Sequence, residues 1–253
     1  MNEHIYNLKA SERIYISVAE IKLRLDIHYD GKMKVRISLG KHGAILRLPL
    51  YISLADKERY ILCSRDWIEK QFEKNPKYKI PYQSKDYFTG QKIEVSGTEY
   101  SLEIIHDKNR QGVLAELKSH DILIYLPDPI SSSNKSKYCA QAISKLLSKR
   151  YLSAMKLRVL ELNAQHFKKE VKGVQIRNNS SNWGSCSSQG NISLNSKLLL
   201  APAWVRDYII IHELAHLIEH NHSNNYWALV ERAMPNYMEA EKWLKQYGGQ
   251  LSW

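Results

Sequence analysis

The chain has 253 residues, 43% of them hydrophobic and 25% charged, and a formal net charge of +11, so it is long enough for one large domain or two modest ones with a real core. No run of about 18 apolar residues occurs, so no transmembrane helix is expected, and the opening MNEHIYNLKASERIY lacks the apolar stretch of a secretory signal. Its three cysteines, Cys63, Cys139 and Cys186, are odd in number and far apart; they fit neither a disulfide framework nor a metal knuckle and point to a reducing, cytoplasmic setting.

The N-terminal half reads as β-rich. Ile21, Leu23, Leu25, Ile27 and Tyr29 alternate with Lys22, Arg24, Asp26, His28 and Asp30. Asp30-Gly31 then supplies a turn and Met33, Val35, Ile37 and Leu39 resume the alternation, which predicts a hairpin with one face on a core. Ser53 and Asp56 resemble a capping box opening a helix that runs to about Glu73 and breaks at Asn75-Pro76. A loop of Pro, Tyr and Lys follows to Gly90, then strands at Lys92–Val95, Glu99–Ile105 and Ile122–Leu126. The run PDPISSSN (127–134) is rich in breakers and small polar residues, and is the strongest domain boundary. It divides the chain into a β-rich domain with one helix, 1–127, and a second domain, 135–253. Neither repeats nor low-complexity tracts are evident.

Beyond the boundary, Tyr138 to Leu162 has helical spacing, with Ile143, Leu147, Ala154 and Leu157 toward one side. Between Lys135 and Arg177, eleven Lys or Arg stand against two acidic residues, Glu161 and Glu170. A solvated helix face is the simpler explanation of that charge. The competing one is a footprint for nucleic acid, although no base-reading motif accompanies it. Strands near Val174–Arg177 and Gly190–Asn195 follow, and Ile192–Asn195 is the candidate sheet edge for pairing with an extended peptide.

Four of the ten histidines fall between positions 212 and 222. In the run His212-Glu213-Leu214-Ala215-His216 the two imidazoles are four residues apart, so a helix projects both from one face. Zinc accepts neutral imidazole nitrogens, and catalytic sites use three protein ligands plus a water. Glu213, beside that water, is placed to take its proton. The surrounding VRDYIIIHELAHLI (205–218) is apolar on nearly all sides and reads as a buried helix whose first turn Pro202 suits. Unpaired polar side chains there would be costly without a metal or other partners. Asn221 is a candidate left-handed residue at the helix exit, and Ser223 can cap a second helix, Asn224 to Met234, stopped by Pro235. His222, on the turn between the two helices, is the preferred third ligand; His220 and Glu219 are its rivals. Tyr226, Arg232 and Tyr237 are candidates for oxyanion stabilisation, and Glu219 or Glu231 for orienting the imidazoles. Cys186 reads as a structural thiol, and Trp183 and Trp227 as core or cleft wall.

The run NWGSCSSQGNISLNSKLLLAP (182–202), followed by DYIIIHELAHLIEHNHSNNYWALVERAMPNY (207–237), resembles the YgjP-like metallopeptidase family, which is related to the WLM and SprT-like zincins. The likeness rests on Trp183 to Cys186, His212 to His216, Asn221-His222-Ser223 and Tyr226-Trp227, with weaker echoes at CSRDWIEKQ (63–71) and GTEYSLEI (97–104). It implies metal ligands His212, His216 and His222, Glu213 as base, zinc as cofactor and a protein or peptide as substrate. One departure stands out. Family members usually carry basic residues before the Trp-Gly-Ser-Cys motif, where this chain has Ser180, Ser181 and Asn182; Arg177 lies upstream as a substitute.

The expected fold is α+β, a β-rich N-terminal region followed by a zincin-like domain with a small sheet and an HExxH helix. Two alternatives accompany the peptidase reading. One is metal-dependent hydrolysis of nucleotide phosphoanhydrides, a label the family also attracts; the other is a nucleic-acid-associated module with a structural zinc, bound through the basic 135–177 segment.

Overall fold

The computed structural model describes residues 11–32, 34–40, 43–79, 85–179 and 181–253; Met33 and Ser180, which figure in the sequence reading, lie outside them. The architecture is mixed α and β, with eleven strands in three sheets and five α-helices among the described residues. The chain divides into two units, Met1–Gln83 and Ser84–Trp253.

In the first unit, β1 (Ser11–Val18), β2 (Ile21–Asp30), β3 (Arg36–Gly40) and β4 (Gly43–Pro49) form one sheet in the order β1-β2-β4-β3. The expected hairpin between residues 21–29 and 33–39 does not form. β2 pairs antiparallel with β1 and parallel with β4, and among the described residues β3 pairs with β4 alone. Apolar content explains the choice. β4 brings Ala44, Leu46 and Leu48, all essentially inaccessible, and takes a central place beside Leu23, Leu25 and Ile27 of β2. Ile37 and Leu39 of β3 stay half-buried, which suits an edge. Helix α1 (Leu54–Lys74) begins where expected, with the Ser53 hydroxyl accepting from the Asp56 N–H at 3.1 Å, and packs Ile68 and Phe72 into this core.

The second unit opens with β5 (Lys92–Val95), β6 (Thr98–Asp107), β7 (Leu114–Lys118) and β8 (Asp121–Pro127), in the order β5-β6-β8-β7, and continues into α2 (Ser132–His166). This is the topology of the first unit again. In each, a two-residue turn joins the first pair of strands, Ala19-Glu20 and Ser96-Gly97, all four with positive φ. In each, the two middle strands run parallel and a helix follows. No residue pattern in the sequence announces this repetition. Residues 127–134 therefore join β8 to α2 rather than separating domains: Ile122, Ile124 and Leu126 share one core with Cys139, Ile143 and Leu147. The buried stripe of α2 runs on through Met155, Val159 and Leu162, while Leu157, expected inside, is 59% exposed.

A three-stranded sheet completes the second unit. β9 (Gly173–Arg177), β10 (Gly184–Cys186) and β11 (Asn191–Asn195) lie in the order β10-β11-β9. β11 is thus the middle strand, paired antiparallel with β10 and parallel with β9, and not the edge expected of Ile192–Asn195. Burial decides it: Ile192, Ser193, Leu194 and Asn195 are all buried, so both sides of the strand are covered. After a 3₁₀ turn (Ser196–Leu200) come α3 (Ala203–Ala215), α4 (Asn224–Ala233) and α5 (Tyr237–Tyr247).

Candidate metal centre

Helix α3 carries Val205, Tyr208, Ile209, Ile210, Ile211, Leu214 and Ala215 into the core, which fixes its rotation about its own axis. Pro202 stands at its N-cap, one place before the first helical residue. The helix ends earlier than its apolar run. His216 is the C-cap, and Leu217 and Ile218 bond three residues back, to Leu214 and Ala215, so the last turn tightens to a 3₁₀ form. Asn221 is not left-handed; its Oδ1 accepts the Ser223 N–H at 3.1 Å and turns the chain by a side-chain bond instead. The Ser223 hydroxyl then accepts from the Tyr226 N–H and starts α4.

This path returns His222 to α3. The rings of His212, His216 and His222 stand 4.9–5.3 Å apart between centroids, and one nitrogen of each lies within 4.8 Å of the others. His212 Nε2 and His222 Nε2 are 3.4 Å apart. Two nitrogens about 2.0–2.1 Å from one zinc at a tetrahedral angle would be about 3.4 Å apart. The donor set therefore fits a transition metal, and imidazole suits zinc better than magnesium or calcium. His220 is exposed and outside the cluster. Glu219 contributes its main chain and not its carboxylate: its carbonyl oxygen lies 3.0 Å from His216 Nδ1, which fixes the tautomer with Nε2 unprotonated. Burial, with His216 and His222 beside it, pushes His212 down to about 4, so the neutral ring persists at ordinary pH.

Tyr226 supports all three rings. It is fully buried, stacks on His216 at 4.6 Å, meets His222 at 4.7 Å, and donates its hydroxyl to the His212 carbonyl at 3.0 Å. With its hydroxyl so engaged it is a structural support, not the free oxyanion donor that its sequence position allows. Tyr237 is stacked between Tyr208 and Trp227, and Trp227 in turn lies 5.9 Å from His222. Arg232 and Glu231 are exposed on α4, and Arg177 is exposed at the end of β9.

Glu213 projects from α3 toward β10. It is 4% exposed; burial pushes its carboxyl up to about 7, against the pull of the Cys186 N–H that donates to it. Gly184 lies against this carboxylate so closely that a Cβ there would stand 2.5 Å from Oε1. Burial, helped by the same carboxylate, pushes the Cys186 thiol up to about 11, which makes it a poor nucleophile. Trp183 packs on Gly248, where a Cβ would come within 2.8 Å of its ring.

One residue of consequence escaped the sequence reading. Asn195, fully buried, donates both amide protons, to the carbonyls of Asn179 and Asn182 at 2.8 Å each. It accepts from the Lys197 N–H, and its own N–H donates to the Trp183 carbonyl. It thereby holds the loop that delivers Gly184 and Cys186 to Glu213. An Asn among strand residues carries no spacing signal, so only the fold identifies it.

A model of the YgjP-like metallopeptidase domain matches residues 32–247. The chain belongs to the YgjP-like metallopeptidase family. Among solved structures it is similar to the metallopeptidase zymogen abylysin of Pyrococcus abyssi, at 24% identity over 37% of this chain and 95% of that one, with a TM-score of 0.34. It is also similar to the zymogen jannalysin of Methanocaldococcus jannaschii, at 20% identity over 36% and 94%, with a TM-score of 0.33. No curated protein matches the sequence. The YgjP-like match takes in most of the second unit, including the histidine cluster, and much of the first. No helix among the described residues is long and apolar enough to cross a membrane.

Proposed function

We propose that this YgjP-like protein is a zinc-dependent peptidase of the zincin type, with His212, His216 and His222 as ligands and Glu213 as general base. The observation that carries the reading is the convergence of three imidazole nitrogens, with the buried carboxyl of Glu213 on the same helix as two of them. When bound, zinc supplies a Lewis acid that polarises a carbonyl and acidifies a water. The chain's own residues do the rest. The His216 bond to the Glu219 carbonyl leaves an acceptor nitrogen toward the ion, and Tyr226 holds the three rings in mutual register. Glu213, kept near neutral affinity for a proton by burial, takes the proton of the attacking water and returns it to the leaving amine. The Cys186 N–H fixes one side of that carboxylate so that the other faces the water.

The phosphoanhydride reading is disfavoured by the donor set, since metal-assisted phosphate chemistry relies on oxygen ligands. The nucleic-acid reading rests on the lysines of α2, and their exposure on a solvated helix face already accounts for them. All three cysteines are free, which fits a reducing compartment.

The test is metal content by mass spectrometry together with cleavage of an unbiased peptide library. Glu213→Gln is expected to keep its zinc and lose cleavage by roughly 10²–10⁴-fold, whereas His216→Ala loses zinc and cleavage together. Wild-type cleavage by the glutamine variant removes Glu213 as the base.

A further inference from the structure

A cavity of about 420 Å³ lies in the second unit between α2, the β5–β6 turn, the 3₁₀ turn and the start of α3, and none of its lining residues belongs to the histidine cluster. Met155, Leu199 and Ile210 give it an apolar floor, and Ala154 and Ala203 line it with small side chains. Its distinctive wall is Arg206. Nη1 donates to the Ala201 carbonyl at 3.0 Å and to Ser96 Oγ at 3.1 Å, which fixes the guanidinium plane.

Among the described residues no carboxylate makes a salt bridge with Arg206. Its neighbour Asp207 is already committed: Arg158 donates Nε to Oδ1 at 2.9 Å and Nη2 to Oδ2 at 2.8 Å, and its Nη1 goes to Glu161. Arg206 is half-buried, and its hydrogen-bond partners among the described residues are the neutral oxygens of Ser96 and Ala201. Burial pulls its affinity for the proton below the ordinary value, with Asp207 and Tyr151 offsetting this only in part. A desolvated cation is costly unless its donors are met. The guanidinium fork has five N–H groups, two of them on Nη1, so Nη2 and Nε keep three donors in a plane suited to a carboxylate.

We propose that this cavity binds a small organic monoanion, its carboxylate on Arg206 and its apolar body against Met155, Leu199 and Ile210. The volume is that of a small-molecule site. Asp207 in the wall and Glu161 behind it disfavour a dianion, and the apolar floor disfavours a bare inorganic ion. The acid is therefore a carboxylic one with a hydrocarbon or aromatic body.

Isothermal titration of the full chain with phenylacetate, octanoate, phenylacetamide and inorganic phosphate tests this. At least one of the two carboxylates is expected to bind saturably. The amide and phosphate should bind roughly tenfold more weakly, as should that carboxylate to Arg206→Gln. Ala154→Trp, which fills the cavity from α2 and leaves Arg206 unsubstituted, should abolish binding while melting near the wild-type temperature, so the test survives if the glutamine variant fails to fold. Equal binding of amide and acid, binding that survives in every folded variant, or no saturable binding of either carboxylate would overturn the site.

Discussion

Gly184 is where the sequence motif and the chemistry meet. Any side chain there would collide with the Glu213 carboxylate, whereas glycine lets the strand carrying the Cys186 N–H pass directly beside it. Gly184→Ala should therefore displace the carboxylate by about an ångström and lower peptide cleavage by roughly 10²-fold while zinc content stays at wild type. Parallel metal analysis and kinetics check it, and loss of zinc in that variant would mean that β10 supports the ligands and not the base. The approach of His212 to His216 was readable from spacing, because a four-residue interval on a helix leaves little geometric freedom, whereas the turn after α3 is what brings His222, and not His220, beside them. Tyr226 was legible as a neighbour but not in its role, since its hydroxyl partner is a backbone carbonyl that no residue pattern specifies.

At the scale of elements, the β1–β2 ribbon carries two testable terms. Arg13 and Asp26 face each other across the ladder at 2.8 Å, and Arg24 reaches the same carboxylate at 2.7 Å. Burial raises the Asp26 carboxyl, but the two arginine bonds outweigh it and hold the group below its ordinary range. A depressed carboxyl gives stability that is full above its unfolded value, about 3.9, and is lost as pH falls through the lower folded value. Urea midpoints measured from pH 6 down to pH 2 should therefore fall less steeply for Asp26→Asn than for the wild type. The turn of the same ribbon places Ala19 and Glu20 at φ of 46° and 66°. The left-handed region costs an ordinary residue roughly 1 kcal/mol, so Glu20→Gly, on an exposed side chain, should stabilise the first unit by about 0.5–1 kcal/mol in a thermal melt. Unchanged or lower stability would show that glycine's greater freedom in the unfolded chain cancels the gain.

For the whole molecule, the division after Gln83 gives each unit a core of its own, and the histidine cluster, Glu213, Asn195 and β10 all lie in the second. Residues 84–253 produced alone should fold with a cooperative melt and take up zinc to the same stoichiometry as the full chain. A product that binds no zinc would show that this core does not stand by itself. The repeated strand order, β1-β2-β4-β3 followed by β5-β6-β8-β7 and each time a helix, sets the two units in parallel architecturally, yet only the second adds the three-stranded sheet and the histidine-bearing helix.

Local physics decided what the residues alone could reveal. Alternation marked β2, a serine cap opened α1, and the four-residue interval put His212 and His216 together at one helix end. Which strand lies in the middle of a sheet, where β8 and α2 share a core, and how Asn195 ties the loop before Gly184 to the central strand were settled only by tertiary packing. Those outcomes depend on competition among distant segments for the same buried surface, and a strand's own residues record its apolar content but not the rivals it must outbid.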